Sequence, residues 1–322
     1  MIIGNTDLGP RPVLLAPLED ITDSAFRTLC RRFGADMVYT EFVSSEALIR
    51  QAEKSNKKMA FDASERPIGI QIFGNDVDAM KNAALLAMEQ NPEVIDINFG
   101  CPVRKVAMKG AGAGLLNDIP RMVAITREVV NAVNLPVTAK TRLGWDEHSK
   151  NIVDIAERLQ DVGIKAITIH GRTRAQMYSG QADWTLIGAV RNNPRMHIPV
   201  IGNGDITSPQ IAVDMFNRYG VDAIMIGRAA IGNPWIFRNV KAYIHSGELP
   251  GEPTRDERIA VSLEHLRLAI QKKGETKGII EMRKHYAGYF RGLPGFKQVR
   301  MEILNRKTYA EVAEILFNFS SH

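Results

Sequence analysis

The sequence predicts an α/β protein in which a (β/α)8 TIM barrel is followed by a small all-helical C-terminal domain. Eight short apolar runs recur within the first 230 or so of the 322 residues. Each run is followed by a segment with apolar residues at helical spacing. A Pro- and Gly-rich break at residues 247–254 then separates this repeat from further helical patterns. Eight strand–helix units of this size match the number that closes a barrel.

The eight runs are predicted to be parallel strands. They occupy residues 13–17, 37–41, 68–73, 94–98, 137–141, 166–170, 199–203 and 223–227. Their apolar residues are continuous rather than alternating, which is typical of strands buried on both faces. An open doubly wound sheet is the competing architecture. However, no Gly-x-Gly-x-x-Gly follows the first run, and even spacing of eight units favours closure.

Capping residues indicate where several helices begin. Residues 76–90 open with an Asp, residues 118–133 carry Pro120 in their first turn, and Ser208-Pro209 starts a helix that ends before Gly220. After the break, helices are predicted over 255–273, 278–291 and 308–318, with a turn at 292–295. We therefore expect a barrel domain over residues 1–247 and a helical domain over residues 248–322.

Composition narrows the class of protein. The chain is 45% hydrophobic and 24% charged, which is ordinary for a soluble enzyme and excludes wholesale disorder. Two cysteines, Cys30 and Cys101, do not make a disulfide framework, and no Cys/His cluster predicts a metal site. No run approaches the roughly 18–20 apolar residues of a membrane span, and the N-terminus lacks signal-peptide features. We expect a cytoplasmic monomer that binds neither metal nor membrane.

The positive charge is concentrated near the C-terminus. Residues 251–322 carry 13 basic and 9 acidic side chains, so they hold +4 of the net charge of +5. Between residues 283 and 307, Glu302 is the only acidic residue. A solvated helix face explains such a cluster, and contact with nucleic acid is the alternative. The basic residues are Arg283, Lys284, Arg291, Lys297, Arg300, Arg306 and Lys307.

Polar side chains lie at or just beyond the carboxyl end of nearly every predicted strand. In TIM barrels the active site lies at the carboxyl ends of the strands. Because the strands themselves are apolar, packing does not explain these polar ends. We therefore expect the active site there. The residues, in strand order, are Glu19, Glu41, Gln71, Asn98, Lys140 with Arg142, His170 with Arg172, Asn203 with Asp205, and Arg228.

Two glycine-containing loops are suited to a phosphate. Gly202-Asn203-Gly204 and Gly227-Arg228 follow the seventh and eighth strands, where this fold often binds phosphate through backbone N–H groups. A tight turn alone would explain either loop. Their joint occurrence at these two positions favours a ligand that carries a phosphate.

Lys140 and Cys101 are the candidates for chemistry. A lysine on a barrel strand can neutralise an electron-rich cofactor, form a Schiff base as in barrel aldolases, or pair with Glu41 or Asp96. Cys101 lies in a rigid Gly-Cys-Pro turn that can present its thiol as nucleophile or proton donor. Cys30, inside an apolar helix, is interpreted as a small hydrophobe.

The loop after Cys101 is basic at Arg104, Lys105 and Lys109 and then rich in glycine. It is either an ordinary mobile connection or a segment that grips a large anionic substrate.

Six segments together resemble the tRNA-dihydrouridine synthase family over nearly the whole chain. They span residues 15–23, 96–102, 140–142, 170–173, 203–206 and 225–228. The bacterial B-type subgroup is the most similar, on residues 171–174 and 283–286. The resemblance implies an FMN-binding barrel, a helical tRNA-binding domain, and reduction of uridine in tRNA to 5,6-dihydrouridine. It also implies that NADPH reduces FMN, that hydride passes from flavin N5 to C6 of a flipped-out uridine, and that Cys101 protonates C5.

The resemblance further implies roles for individual residues. Lys140 and Gln71 would hydrogen-bond the flavin ring, and His170 would lie near the ring and its phosphate. Main-chain contacts would come from Pro17, Leu18 and Glu19, although Leu18-Glu19 departs from the commoner Met-Ala or Met-Glu. The phosphate would be held by Asn203, Gly204, Asp205, Gly227 and Arg228. Substrate contacts are expected from Asn98, Arg142, Arg172, Arg104, Lys105, Arg283, Lys284 and Arg291.

Three other functions remain open at this point. A Schiff-base aldolase that uses Lys140 would be a colourless protein that borohydride traps with its substrate. An FMN-dependent dehydrogenase of a free pyrimidine, of the dihydroorotate type, would need neither the helical domain nor its basic cluster. A non-catalytic tRNA-binding protein would not need Cys101.

Overall fold

A computed structural model describes residues 1–50 and 52–320, and it confirms the predicted barrel. The eight barrel strands are β1 (Val13–Leu15), β2 (Val38–Tyr39), β3 (Ile68–Phe73), β4 (Val94–Asn98), β5 (Val137–Arg142), β6 (Ala166–His170), β7 (Val200–Asn203) and β8 (Ala223–Ile226). From β3 to β8, each barrel strand pairs in parallel with the barrel strand before it. β8 pairs with β1. The bridge between Leu14 and Met37 joins β1 to the edge of β2 and closes the ring.

The strand predictions differ from the structure mainly at the ends of the first two strands. β1 ends at Leu15, so Ala16 and Pro17 belong to the loop that follows it. β2 covers two residues, and the chain then returns to the edge of β3 through a second short strand, Val43–Ser44. Periodicity does not detect such an interruption, because the residues on both sides of it are buried.

Among residues 1–50 and 52–247, ten α-helices accompany the barrel. They are α1 (Ser24–Arg32), α2 (Ser45–Ile49), α3 (Glu53–Met59), α4 (Val77–Met88), α5 (Arg104–Ala107), α6 (Ile119–Ala132), α7 (Ile152–Asp161), α8 (Thr185–Arg191), α9 (Pro209–Tyr219) and α10 (Trp235–Ser246). The predicted caps are present. The side chains of Asp76, Asp118 and Ser208 each accept a hydrogen bond from the backbone N–H three residues later.

In the described residues up to 320, four α-helices follow the irregular segment 248–254, and we call them the helical tail. They are α11 (Arg255–Lys273), α12 (Glu275–Tyr289), α13 (Phe296–Ile303) and α14 (Tyr309–Ser320). The bounds of α11 are as predicted, whereas α12 starts three residues earlier than expected. Gly278 does not begin this helix. It lets α12 approach α11, because a Cβ there would lie 2.8 Å from the Ile270 nitrogen. The sequence did not predict α13.

The helical tail packs firmly against the barrel. Its core includes Ala25 of α1 and Trp235 of α10, so the two parts share buried surface. Lys273 forms an ion pair with Asp23 at the start of α1, at 2.5 Å. The backbones of α12 and of the loop after β8 are in close contact, because a Cβ on Gly288 would lie 1.9 Å from the Ile231 carbonyl oxygen. The tail is thereby held beside the mouth of the barrel. None of the helices in residues 1–50 and 52–320 combines the length and hydropathy of a membrane span.

Candidate active site

A cavity of about 610 Å³ opens at the carboxyl ends of the strands. Residues at the carboxyl ends of seven of the eight strands, or in the loops after them, line it together with Arg291 of the helical tail. Most of the predicted site residues therefore lie around one space, as expected from the geometry of a parallel barrel. Those that line it are Pro17, Leu18, Glu19, Asn98, Cys101, Lys140, Arg142, His170, Asn203, Gly204, Asp205, Gly227, Arg228 and Arg291.

Six predicted site residues lie outside the cavity lining. Gln71 and Arg172 are buried in the barrel, whereas Arg104 and Lys105 are exposed on α5. Arg283 and Lys284 are half-buried on α12. The Lys284 ammonium donates a hydrogen bond to the backbone carbonyl of Asp20, so it ties the helical tail to the loop after β1.

A short hydrogen-bond network fixes the turn that carries Cys101. The side-chain oxygen of Asn98 accepts hydrogen bonds from the backbone N–H groups of Gly100 and Cys101, both at 2.9 Å. Asn98 Nδ2 donates to Gln71 Oε1 at 2.8 Å, and Gln71 Nε2 donates to Asp96 Oδ2 at 2.6 Å. Gln71 therefore orients Asn98 from below the cavity. The side chains of Asn98, Gln71 and Asp96 are buried, so their mutual hydrogen bonds are required for stability.

Burial raises the pKa of the Cys101 thiol, and a backbone N–H from Val103 only partly opposes this shift. The nearby carboxylate of Glu19 also raises it. The thiol therefore stays protonated at neutral pH. This state favours a proton donor over a thiolate nucleophile.

Lys140 presents an incompletely satisfied ammonium group to the cavity. Nζ donates to Asn203 Oδ1 at 3.3 Å, and no ion pair of Lys140 with Glu41 or Asp96 occurs among residues 1–50 and 52–320. An ammonium carries three donors. Burial, reinforced by the charge of Arg142, lowers the pKa of Lys140 to about 8. Lys140 is therefore mostly charged at neutral pH and retains donors for a ligand.

Arg142 joins the loops that follow β4 and β6. It donates hydrogen bonds to the carbonyl oxygens of Gly100, Thr173 and Met177 at 2.7, 3.0 and 2.8 Å. Burial lowers its pKa to about 10, which leaves it charged. These bonds place Tyr178 at the cavity rim, where its ring centroid lies 5.7 Å from the guanidinium carbon of Arg142 and 5.0 Å from that of Arg228. Cations beside an aromatic face are stabilising.

The loops after β6, β7 and β8 meet in an ion-pair group. Arg172, buried, donates to both carboxylate oxygens of Asp205 at 3.0 and 2.6 Å, and Arg228 donates to the same carboxylate at 3.1 Å. Burial and the surrounding cations hold the pKa of His170 well below its usual value, so the imidazole is neutral. Since the Asp205 carboxylate is shared by two arginines, the group retains positive charge for an anion.

The two glycine loops fit a phosphate. Gly204 has a φ of +131°, and a Cβ there would lie 2.7 Å from the Ala182 side chain and 3.1 Å from the His170 ring. At Gly227 the nearest atom to such a Cβ, that of Ala16, is 3.6 Å away, and both glycines line the cavity. Packing and the positive φ therefore require the glycine at 204, and both loops border the cavity next to Arg228, where backbone N–H groups suit a phosphate.

Glu19, Asp20 and Glu41 bring three carboxylates within 4.8 Å of one another, among the residues described. The Lys58 ammonium already pairs with Glu19 and Glu41. This cluster is accordingly neutralised in part within the protein, and it does not alter the expectation that the chemistry uses no metal.

Sequence reasoning missed several cavity residues, including Phe42, Tyr178 and Asn233. None of them ends a strand. Tyr178 reaches the rim because the 171–180 segment is bonded to the buried Arg142 and Arg172. An exposed aromatic residue in a loop after a barrel strand is the signal that could have indicated it.

Comparison with known proteins gives a family and close relatives. The family model described as dihydrouridine synthase matches residues 14–320. The chain is 41% identical over 309 residues to tRNA-dihydrouridine synthase B of Pseudomonas putida, which covers 96% of this chain and 91% of that protein. It is 40% identical over 315 residues to probable tRNA-dihydrouridine synthase 1 of Synechocystis sp., covering 98% and 87%.

Solved structures share the fold at low identity. Histamine dehydrogenase from Rhizobium sp. 4-9 aligns with a TM-score of 0.57 and 13% identity over 82% of this chain, which spans half of that longer chain. An old yellow enzyme homologue from Zymomonas mobilis aligns with a TM-score of 0.50 and 13% identity, covering 80% of this chain and 94% of the other. These similarities show the barrel architecture.

Proposed function

The chain belongs to the dihydrouridine synthase family, and from this premise we propose that it reduces uridines in tRNA to 5,6-dihydrouridine with bound FMN and with NADPH as reductant. One observation carries the proposal. A protonated, rigidly held thiol, a lysine with free donors and two phosphate-suited loops all surround one cavity at the barrel mouth.

The residues of the cavity fit a flavin mononucleotide. When bound, FMN supplies the hydride that adds to C6 of the uracil ring. Backbone N–H groups of Gly204 and Gly227 and the guanidinium of Arg228 would hold its phosphate. The Asp205 carboxylate would repel a phosphate, so we assign to Asp205 the role of orienting Arg172 and Arg228. Lys140 would neutralise negative charge near the flavin ring.

Cys101 provides the proton for C5. As C6 gains a hydride, C5 gains a proton from the thiol, and the resulting thiolate regains its proton from solvent. Burial raises the pKa of Cys101, so the thiol is protonated before this step. Asn98 and Gln71 hold the turn so that the thiol has a fixed position relative to the substrate. A uridine must leave its stack to reach this cavity, because the site lies in a concave mouth.

The charge distribution supports a large anionic substrate. Arg291, from the helical tail, lines the cavity. Arg104 and Lys105 are exposed on α5, the helix that follows Cys101. A dehydrogenase of free pyrimidines would not need an arginine contributed by a separate helical region. We propose that the enzyme acts as a monomer in the cytoplasm.

The proposal is tested with the purified protein. We expect a yellow protein that releases FMN on denaturation, oxidises NADPH, and forms dihydrouridine in tRNA taken from a strain that lacks the modification. Mass spectrometry of digested tRNA measures the product. A colourless protein that borohydride traps with a carbonyl substrate would instead favour the Lys140 Schiff-base interpretation. A yellow protein that reduces free orotate-type pyrimidines but leaves tRNA unchanged would favour the dihydroorotate-type function.

A further inference from the structure

We propose that a second, smaller cavity beside the active site binds the nucleotide adjacent to the target uridine in the RNA chain. This inference rests on the proposed function. The cavity has a volume of about 300 Å³ and lies where the barrel meets the helical tail. That volume is at the lower end of the roughly 300–1,000 Å³ found for small-ligand pockets. It suits one nucleoside rather than a larger element of RNA.

The two cavities adjoin. Thr207, Ala229, Ile231, Asn233 and Arg291 line both of them. A chain that places one nucleotide in the active-site cavity therefore has its next nucleotide at the second cavity. The phosphate that joins the two nucleotides would lie near Arg291, whose guanidinium is a favourable partner for a phosphodiester.

The wall between the barrel and the helical tail is rigid at this point. Gly288 packs against the Ile231 carbonyl without room for a side chain. Arg258 donates hydrogen bonds to the carbonyl oxygens of Pro253, Tyr289 and Arg291 at 3.0, 3.2 and 3.3 Å. The second cavity is consequently preformed, so a ligand does not have to order these segments on binding.

The lining of the second cavity combines hydrogen-bonding groups with apolar surface. Within residues 1–50 and 52–320, the Gln210 carboxamide and the amide nitrogen of Asn239 form no hydrogen bond. Trp235 and the half-exposed Leu249 supply apolar surface. Bases in single-stranded RNA are recognised by side chains that hydrogen-bond to base edges and by apolar contact with base faces. The lining therefore suits a nucleobase.

The adenosine half of NADPH is the competing occupant, and charge disfavours it. A 2′-phosphate needs cations of its own, but the Arg258 guanidinium is already engaged by three carbonyl groups and by Glu252. The Glu252 carboxylate, which is largely exposed, repels a phosphate. An RNA nucleotide needs one cation for its linking phosphate, and Arg291 supplies it.

The test uses the flavin-loaded enzyme with Gln210→Ala and Asn239→Ala combined, because both residues line only the second cavity. We expect the Kd for tRNA, measured by fluorescence anisotropy, and the KM for tRNA to rise about tenfold, as for the loss of two hydrogen bonds. The KM for NADPH and the rate of flavin reduction should stay unchanged. Gln90→Ala, at an exposed position after α4 that lines neither cavity, is the matched control.

An unchanged Kd and KM for tRNA would overturn the inference. So would a raised KM for NADPH with unchanged tRNA binding, which would assign the cavity to the dinucleotide. If the double variant unfolds, the Kd and KM for tRNA are measured with Gln210→Ala alone. Gln210 is exposed, so its loss should not unfold the protein. Binding is measured without turnover. A wild-type protein that binds tRNA but forms no dihydrouridine would therefore refute the proposed function and leave this readout intact.

Discussion

The side-chain oxygen of Asn98 accepts a hydrogen bond from the backbone N–H of Cys101 at 2.9 Å. The same oxygen accepts the N–H of Gly100, and the amide nitrogen reaches Gln71 in the barrel. The position of the thiol is thus set by the end of β4 and by a buried network beneath it. The loop that follows adds to this, because a backbone N–H of Val103 interacts with the thiol and the Ala113 N–H donates to the Cys101 carbonyl oxygen at 3.1 Å.

Asn98→Ala should lower the rate of dihydrouridine formation by about tenfold or more, because a displaced thiol loses its alignment with C5. The rate of flavin reduction by NADPH should not change. The variant should also be less stable by about 1–3 kcal/mol, since buried N–H groups lose their acceptor. Stopped-flow absorbance, product analysis and chemical denaturation measure the three quantities. Asn217→Ala, at an exposed position of α9, is the control, and equal product rates in both variants would refute the role of Asn98.

Lys140→Met should weaken FMN binding and remove its dependence on pH. Burial and Arg142 lower the pKa of Lys140 to about 8. As the pH rises through that value, the ammonium loses its charge, so the Kd of the wild type for FMN should increase above about pH 8. The Lys140→Met variant should have a higher Kd for FMN, and this Kd should not change with pH over the same range. Fluorescence quenching of FMN measures both. Lys165→Met, which changes an exposed lysine, should behave as the wild type.

Asp205→Asn should destabilise the protein by about 1–3 kcal/mol, less than for a fully buried pair, because Asp205 is 35% exposed. Burial raises its pKa, but hydrogen bonds from Arg172 and the Ala182 N–H outweigh this and leave the pKa lowered. A carboxyl group with a lowered pKa stabilises the fold at pH values above the ordinary pKa of that group. This stabilisation is lost as the pH falls through the lowered pKa. Urea denaturation from neutral to acidic pH should therefore show a difference between wild type and variant that shrinks in acid.

A matched change at Asp154→Asn, in an exposed pair with Arg158, should cost less than about 0.5 kcal/mol. If both variants lose the same stability, the Asp205 carboxylate is not the counter-ion of the buried Arg172.

Arg291→Ala and Lys284→Ala should differ in their effects on tRNA binding. Arg291 is exposed at the cavity, so its loss should weaken tRNA binding about fivefold and reduce the salt slope by about one. Lys284 donates to the carbonyl of Asp20, so its loss should lower the stability of the contact between tail and barrel and leave the salt slope unchanged. Anisotropy titrations at several salt concentrations measure the slopes. The reverse pattern would contradict these assignments.

The barrel could be predicted because its strands are short, apolar and separated by turn residues. The bounds of β3, β4 and β6 agree with the sequence prediction. The polar residues at strand ends could also be predicted to converge, since parallel strands in a barrel present their carboxyl ends on one face. Lys140 and Cys101 line one cavity because both lie at the carboxyl ends of parallel strands.

Features that depend on contacts distant in sequence could not be predicted. Tyr178 reaches the rim through hydrogen bonds from Arg142 to a loop more than thirty residues away. The sequence of α12 gave no sign that Lys284 bonds to the loop after β1, because a basic residue on a helix is ordinarily solvated. The start of α12 was misplaced because Gly278 serves helix packing and not helix initiation.

The most direct test of the account is a single-turnover reaction of the NADPH-reduced enzyme with tRNA, comparing wild type with Cys101→Ala. Both proteins should bind FMN and accept electrons from NADPH at the same rate. We predict that dihydrouridine forms at least about a hundredfold more slowly in the variant, because general-acid catalysis contributes about 10²–10⁴-fold. Equal rates of dihydrouridine formation in the two proteins would contradict the assignment of Cys101 as the proton donor.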